Sequence, residues 1–288
     1  MKTELRTTIL LWGCLALCYP ALCDSTGELH KEITRIESDD KAVTAFIERL
    51  SKQDLFDLCN QHGSAVDNSP VGDGGMLIEM VLMELKRRSE LSFADLLHCA
   101  GVESYSVYWR KMALRYSSGK EGFINQKDVD HKEALAFYAT IITNSAAPES
   151  LRAEACLSSA RVLREGYYVA VSGSIDCDKS RYRQQLKRED TPELIKQDRI
   201  SEIFIDLILA LAVDETTPII LKDQSIPRAF QDVISVRGQK TPRLAQIQVL
   251  VDECLKSANE DRRRAYKKVS IAIIQATTPF NPKAPVAF

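Results

Sequence analysis

Eight cysteines and four histidines are the residues in this 288-residue chain with the most obvious capacity for chemistry. Cys59-x-x-His62 places a thiol and an imidazole three apart, on one face of a helix, where they could share a metal ion. The second such pair, His98-Cys99, is adjacent in sequence, so its side chains diverge by about 100° around a helix and do not converge on one ion. His30 and His131 are expected on solvent-facing helical surfaces. No His-Glu-x-x-His occurs, and Ala170–Ser174 (AVSGS) lacks the flanking glycines of a nucleophile elbow. Gly72-Asp73-Gly74-Gly75 could offer amides to an anion, but Asp73 would repel phosphate and no Lys-Ser/Thr follows. Asp67–Glu79 carries the wrong residues at its third and fifth positions for a calcium loop. These readings assign no catalytic residue, no cofactor and no metal site.

Partner recognition has better candidates. Tyr105, Tyr108, Trp109 and Arg110 make an aromatic-rich stretch ending in a cation, the composition of an interface anchor. Tyr108 and Met112 share a helical face, which points the same stretch toward core packing. Arg262, Arg263, Tyr266 and Lys267 form a second group on one late helix. A third basic run, Lys179–Arg188 (KSRYRQQLKR), carries five positive charges around Tyr182. Acidic residues flank both basic groups, so solvated helix faces also account for them.

The N-terminus predicts export. Lys2 and Arg6 precede the apolar stretch Thr7–Cys18 (TTILLWGCLALC), the length of a signal-peptide core and too short to span a bilayer. Pro20 breaks any helix there, and Ala21-Leu22-Cys23 places cleavage near Cys23/Asp24. An uncleaved anchor and lipidation at Cys14 are the other outcomes for this segment. Cleavage would leave 36 basic and 39 acidic residues, a net charge of −3, and five cysteines: Cys59, Cys99, Cys156, Cys177 and Cys254. Such a set allows two disulfides and a spare thiol, or buried thiols that act as small hydrophobes.

The elements that must position all of these residues are helical. Val43, Phe46, Ile47 and Leu50 recur at helical spacing, and Ser51–Asp54 reads as a capping start for a helix that Gly63 should end. Met76–Arg88 reads as a strong helix, with shorter ones near Phe93–Cys99 and Glu103–Tyr116. His131–Thr143 and Pro148–Arg164 form a hairpin stopped by Gly166. Thr191-Pro192, Thr217-Pro218 and Thr241-Pro242 each read as a helix start, with Thr as cap and Pro in the first turn. Helices are expected at about 192–214, 227–237, 242–258 and 261–276. Ile203–Val213 (IFIDLILALAV) is the most apolar internal run; at 11 residues it predicts a buried core helix. Tyr167–Val171 has β character but could equally prolong the helix before it. The chain thus divides into a signal peptide (1–23), an N-terminal helical region (24–118), a linker (119–130), a helical-hairpin region (131–277) and an extended tail (278–288).

Within the hairpin, His131-Lys-Glu-Ala-Leu-Ala-Phe-Tyr138, Leu151-Arg-Ala-Glu-Ala-Cys-Leu157 and Ala160-Arg-Val-Leu163 resemble a tetratricopeptide-type unit over residues 131–166. Its Asn144–Ala147 connection is longer than that family's tight turn. The resemblance implies an α-solenoid of helical hairpins, a fold whose usual role is protein binding. Composition agrees with a globular chain: 45% hydrophobic, 27% charged, and a formal charge of −2 that excludes a dedicated nucleic-acid binder. The expectation is an all-α, irregular array of helical hairpins, exported to the periplasm or exterior, binding a protein partner non-covalently. It has no nucleic-acid role, and meets a membrane only through an uncleaved or lipidated N-terminus. The alternative is a secreted helical hydrolase of glycan or peptidoglycan, working through a carboxylate pair.

Overall fold

The computed structural model describes residues 28–36, 39–68, 75–119, 124, 129–173 and 178–277. Among them the protein is all-α, with thirteen α-helices and no strand. The apolar N-terminal stretch, the glycine-rich loop at 72–75, most of the linker, Cys177 and the tail 278–288 lie outside the described residues, apart from Gly75 at the first position of a helix. No helix among the described residues is long and apolar enough to cross a membrane.

The chain divides into two compact units, Met1–Ile124 and Asn125–Phe288. The first contains α1 (Glu28–Ile36), α2 (Asp40–Arg49), α3 (Lys52–Asp67), α4 (Gly75–Arg87), α5 (Phe93–Gly101) and α6 (Val107–Ser117). Ser51 and Ser92 begin α3 and α5 with full capping boxes, exchanging bonds with Asp54 and Asp95. Each such cap stabilises its helix by about 1 kcal/mol. Helix α3 is central to this unit and packs on α1, α4 and α6. Its Leu55, Leu58 and Cys59 meet a core that includes Ile78, Leu82, Leu96 and Trp109, all fully buried.

Gly63 does not end α3, which continues four residues further to Asp67. A Cβ at position 63 would lie 2.2 Å from Ser106 Oγ and 3.0 Å from the Trp109 amide nitrogen. This glycine allows α3 and α6 to approach closely, and that contact outweighs the roughly 1 kcal/mol by which glycine weakens a helix interior.

The second unit contains α7 (His131–Thr143), α8 (Glu149–Ser172), α9 (Lys179–Arg188), α10 (Pro192–Val213), α11 (Ile226–Arg237), α12 (Leu244–Cys254) and α13 (Glu260–Thr277). A π-helical turn at Leu221–Ser225 leads into α11. Helix α8 packs on α7, α9, α10 and α11, which explains why it is buried on more than one side. It runs straight through Gly166, where a Cβ would meet the Gln197 side chain at 2.5 Å. It ends instead at Gly173, whose φ of 64° is the left-handed conformation that glycine adopts readily. Tyr167–Val171 is therefore helical.

Thr191 caps α10 with Pro192 in its first turn, as the Thr-Pro pattern predicts. At Thr241-Pro242 the helix starts later, at Leu244. The Thr241 hydroxyl is turned back to the Gly238 carbonyl at 2.7 Å and cannot cap. Arg243 then takes a left-handed φ of 58° and is held there by Glu202 and Asp206, at 3.1 and 2.8 Å. The apolar run 203–213 is only half a core element. Phe204, Ile205 and Ile208 are buried, while Ile203 and Val213 are 69% and 66% exposed.

Candidate functional site

The first unit draws the Tyr105–Arg110 stretch inward. Ser106 caps α6, taking the Trp109 amide at 3.1 Å. This orientation sends the fully buried Trp109 indole beneath Phe56, with ring centroids 6.2 Å apart. Arg110 Nε donates to the Ala100 carbonyl at 2.9 Å, in a place where burial lowers its pKa. Tyr105 and Tyr108 are half-buried, and the Tyr108 amide donates to the Asp67 carboxylate at 3.1 Å. Trp109 and Arg110 therefore hold the core of this unit together and present no surface.

The cysteine–histidine residues separate in a similar way. Cys59 and Cys99 are buried near one another, whereas His98 points to solvent. His62 faces α1, where its Nδ1 stands 3.0 Å from His30 Nε2. His30 is half-buried rather than solvent-facing: its Nδ1 is enclosed without a hydrogen-bond partner among the described residues, and burial lowers its pKa. No group of three or more His, Cys, Asp or Glu side chains among the described residues could hold a metal ion. Cys59, Cys99, Cys156 and Cys254 are free thiols, and burial pushes Cys99 and Cys156 up to about 12. His131, also half-buried, has its pKa lowered by burial despite the neighbouring Asp130 and Glu165.

Buried carboxylates in both units are matched to cations. Glu84 meets Arg87 and Arg88 at 2.7 and 2.6 Å, and the Arg87 hydrogen bond leads in holding its carboxyl at about 2. Glu154 meets Arg161, Glu165 meets Lys179 and Arg164, and Asp223 meets Arg262. The most developed cluster surrounds Arg237, whose side chain is fully buried. Its Nε and Nη2 donate to Asp198 at 2.8 and 2.6 Å, and Nη2 also donates to Asp190 at 3.1 Å. Its Nη1 donates to the carbonyls of Leu186 and Glu189. The Tyr167 hydroxyl donates to Asp198 at 2.8 Å and its ring lies under the guanidinium. A general acid needs a carboxyl that keeps its proton near neutral pH. Arg87 and Arg88 drive the Glu84 carboxyl the other way.

The late basic group is split by the turn of α13. Arg262 points inward to Asp223 at 2.6 Å, and Tyr266 is buried beside Cys254. Arg263 donates to the Ser257 carbonyl at 3.0 Å from an exposed position, and Lys267 is exposed. Two residues not anticipated from the sequence, Ile271 and Ile274, stand outside at 46% and 59% exposure. The signal for them was present: isoleucines at 271, 273 and 274 do not fit on one narrow stripe, so at least one must leave the core. Ile195 and Ile203 on α10 and Val249 on α12 are likewise exposed. This is a chemistry of contact, with β-branched aliphatic side chains in water beside charged ones. No family model, curated protein or solved structure matches the chain.

Proposed function

We propose that the protein is an exported helical scaffold that binds another protein non-covalently through its second unit. One observation carries this reading. The large aliphatic side chains Ile195, Ile203, Val213, Ile219, Val249, Ile271 and Ile274 of that unit are each between 43% and 69% exposed. Interfaces bury such side chains in their cores behind a charged rim, and these residues stand among Arg, Lys, Glu and Asp. The α7–α8 hairpin supports reading this unit as an irregular array of helical hairpins, and Lys2, Arg6 and the apolar Thr7–Cys18 support export.

The test is isolation of the full-length gene product from the envelope and medium of a secreting host, with its N-terminus sequenced and its mass measured natively. The expected result is a chain beginning at Asp24, carrying a stoichiometric protein partner. Ile203→Glu with Val249→Glu, two exposed sites on helices that pack together, should lose the partner and keep the helical circular dichroism. A chain found alone overturns the reading, and a partner retained by this variant moves its contacts off α10 and α12.

A further inference from the structure

The observations reach furthest on the outer face of α13. One line of this helix, Tyr266, Val269 and Ile273, is buried. Helices α11 and α12 pack against α13. The opposite line carries Arg264, Lys267, Lys268, Ile271 and Ile274, all exposed. Positions 264, 267, 268, 271 and 274 repeat at three and four, so these five side chains form one continuous stripe, about 15 Å long at 1.5 Å per residue.

Among the described residues, the neighbours of the stripe's lysines do not account for its charge. Lys267 and Lys268 make no ion pair or side-chain hydrogen bond among the described residues, and Arg264 has only Glu260 at 3.8 Å, both 70% or more exposed. The three cations do not serve the helix dipole, which favours positive charge in the last turn, whereas these precede it. The stripe is a concentration of positive charge on a chain whose net charge is −2, and it runs directly into two isoleucines that face water.

We propose that this stripe is a docking surface for an acidic amphipathic helix of a partner protein. The inference rests on the protein-binding reading above and specifies its surface and the partner's chemistry. A helix face has no free backbone groups with which to extend a strand, so recognition must run through side chains. A partner helix with aliphatic residues at i, i+3, i+4 and i+7 sets its ridge against Ile271 and Ile274. Glutamates or aspartates one turn away then meet Arg264, Lys267 and Lys268. Charge selects the occupant, since a basic helix would be repelled by three cations and a neutral one would leave them unanswered. Two isoleucines are too little apolar surface to seat α13 in a bilayer, where interfacial helices present a broad apolar face.

The experiment uses the full chain and a fluorescein-labelled synthetic peptide, with leucines at i, i+3, i+4 and i+7 flanked by glutamates, followed by fluorescence anisotropy. A scrambled peptide of identical composition and vesicles of mixed phosphatidylglycerol and phosphatidylcholine are the comparisons. The patterned peptide should bind at least about tenfold more tightly than the scrambled one, and weaken as salt rises. Lys267→Glu with Lys268→Glu, and separately Ile271→Ser with Ile274→Ser, should each reduce binding about tenfold with unchanged circular dichroism. Equal binding of the scrambled peptide, indifference to the substitutions, or tighter binding to vesicles than to the peptide overturns the proposal. Should a variant fail to fold, the scrambled-peptide and salt comparisons on the unaltered chain decide it. If no peptide binds while the isolated protein carries a partner that Ile203→Glu with Val249→Glu releases, this surface is wrong and the protein-binding function stands.

Discussion

Two enclosed polar centres, Arg237 in the second unit and His30 in the first, are held on opposite terms. In the second, Arg237 is sealed from water, yet each of its five N–H groups has an acceptor, and Asp198 is gripped in turn by the Tyr167 hydroxyl. In the first, His30 and His62 share one contact at 3.0 Å, and the remaining His30 nitrogen is enclosed without a partner among the described residues. The difference teaches what burial demands. A permanent charge is tolerated inside a small unit only when every donor is matched. A group that can shed its charge is tolerated unmatched because it stays neutral. The Arg237 guanidinium keeps its charge across the ordinary pH range, whereas the His30 imidazole can gain or lose one.

The severest way to break the comparison is to remove the matched cation. Arg237→Ala leaves Asp198 half-enclosed, with the Leu186 and Glu189 carbonyls and the Tyr167 ring facing a void. Breaking such a centre by deleting one partner costs about 3–5 kcal/mol. The loss should appear in urea unfolding followed by far-ultraviolet circular dichroism. Arg237→Lys should recover only part of it, because one ammonium cannot serve acceptors on four residues. An Arg237→Ala protein as stable as the original would show that the cluster contributes nothing net. Asp190 is the weaker partner: it is about half exposed and also paired with Lys240, so Asp190→Asn should cost less than about 1 kcal/mol.

Steric fit gives the next effect. Gly63 adjoins His62 on α3 and admits α6 at a distance where a methyl group would collide with Ser106 Oγ. That hydroxyl caps α6, and the Ser106 amide is tied to Asn60 at 2.7 Å, so the obstacle cannot simply swing away. Gly63→Ala should destabilise the first unit by about 1–3 kcal/mol, although alanine favours helices. Trp109 is the natural probe: in a Trp12→Phe background it is the sole indole of the chain. A red-shifted emission and an earlier unfolding midpoint are expected. A midpoint moved later would mean that helix propensity, rather than close packing, governs this position.

Both glycines also mark the boundary of what sequence alone could reveal. Periodicity predicted the helices well, because an apolar stripe at i, i+3, i+4 is a local property, and so are the caps at Ser51 and Thr191. Gly63 and Gly166 read as stops because the residues that require them, Ser106 and Gln197, are 43 and 31 positions away. The placement of the site residues depends on distant partners in the same manner. Arg262, Arg263, Tyr266 and Lys267 were legible as a group, but their division between the inside and outside of α13 depends on Asp223 and Cys254 being packed against it. For Trp109 both an anchor and a core position were open in the sequence, because its partner Phe56 lies on another helix. The exposure of Ile203 within an apolar run depended on which neighbours cover α10, and composition carries no record of that.

The smallest effect, and the sharpest for the comparison, is in acid. Burial lowers the His30 pKa beneath its ordinary value of 6.5, so the unfolded chain takes up this proton at a higher pH than the folded one. The stability tied to the neutral imidazole is fully present above 6.5. It is lost as the pH falls below that value toward the folded pKa. Among the described residues burial is the cause of this shift, with no charged side chain contributing to it. Glu84, held at about 2, stays ionised in the fold throughout this range and adds slope only as the pH nears its ordinary value of 4.5. Between pH 7 and 5 the Trp109-monitored unfolding free energy should therefore fall, by at most about 1.4 kcal/mol per pH unit for one proton. His30→Gln removes the titrating group, and the slope should flatten. A slope unchanged in that variant would place the acid sensitivity at a group other than His30.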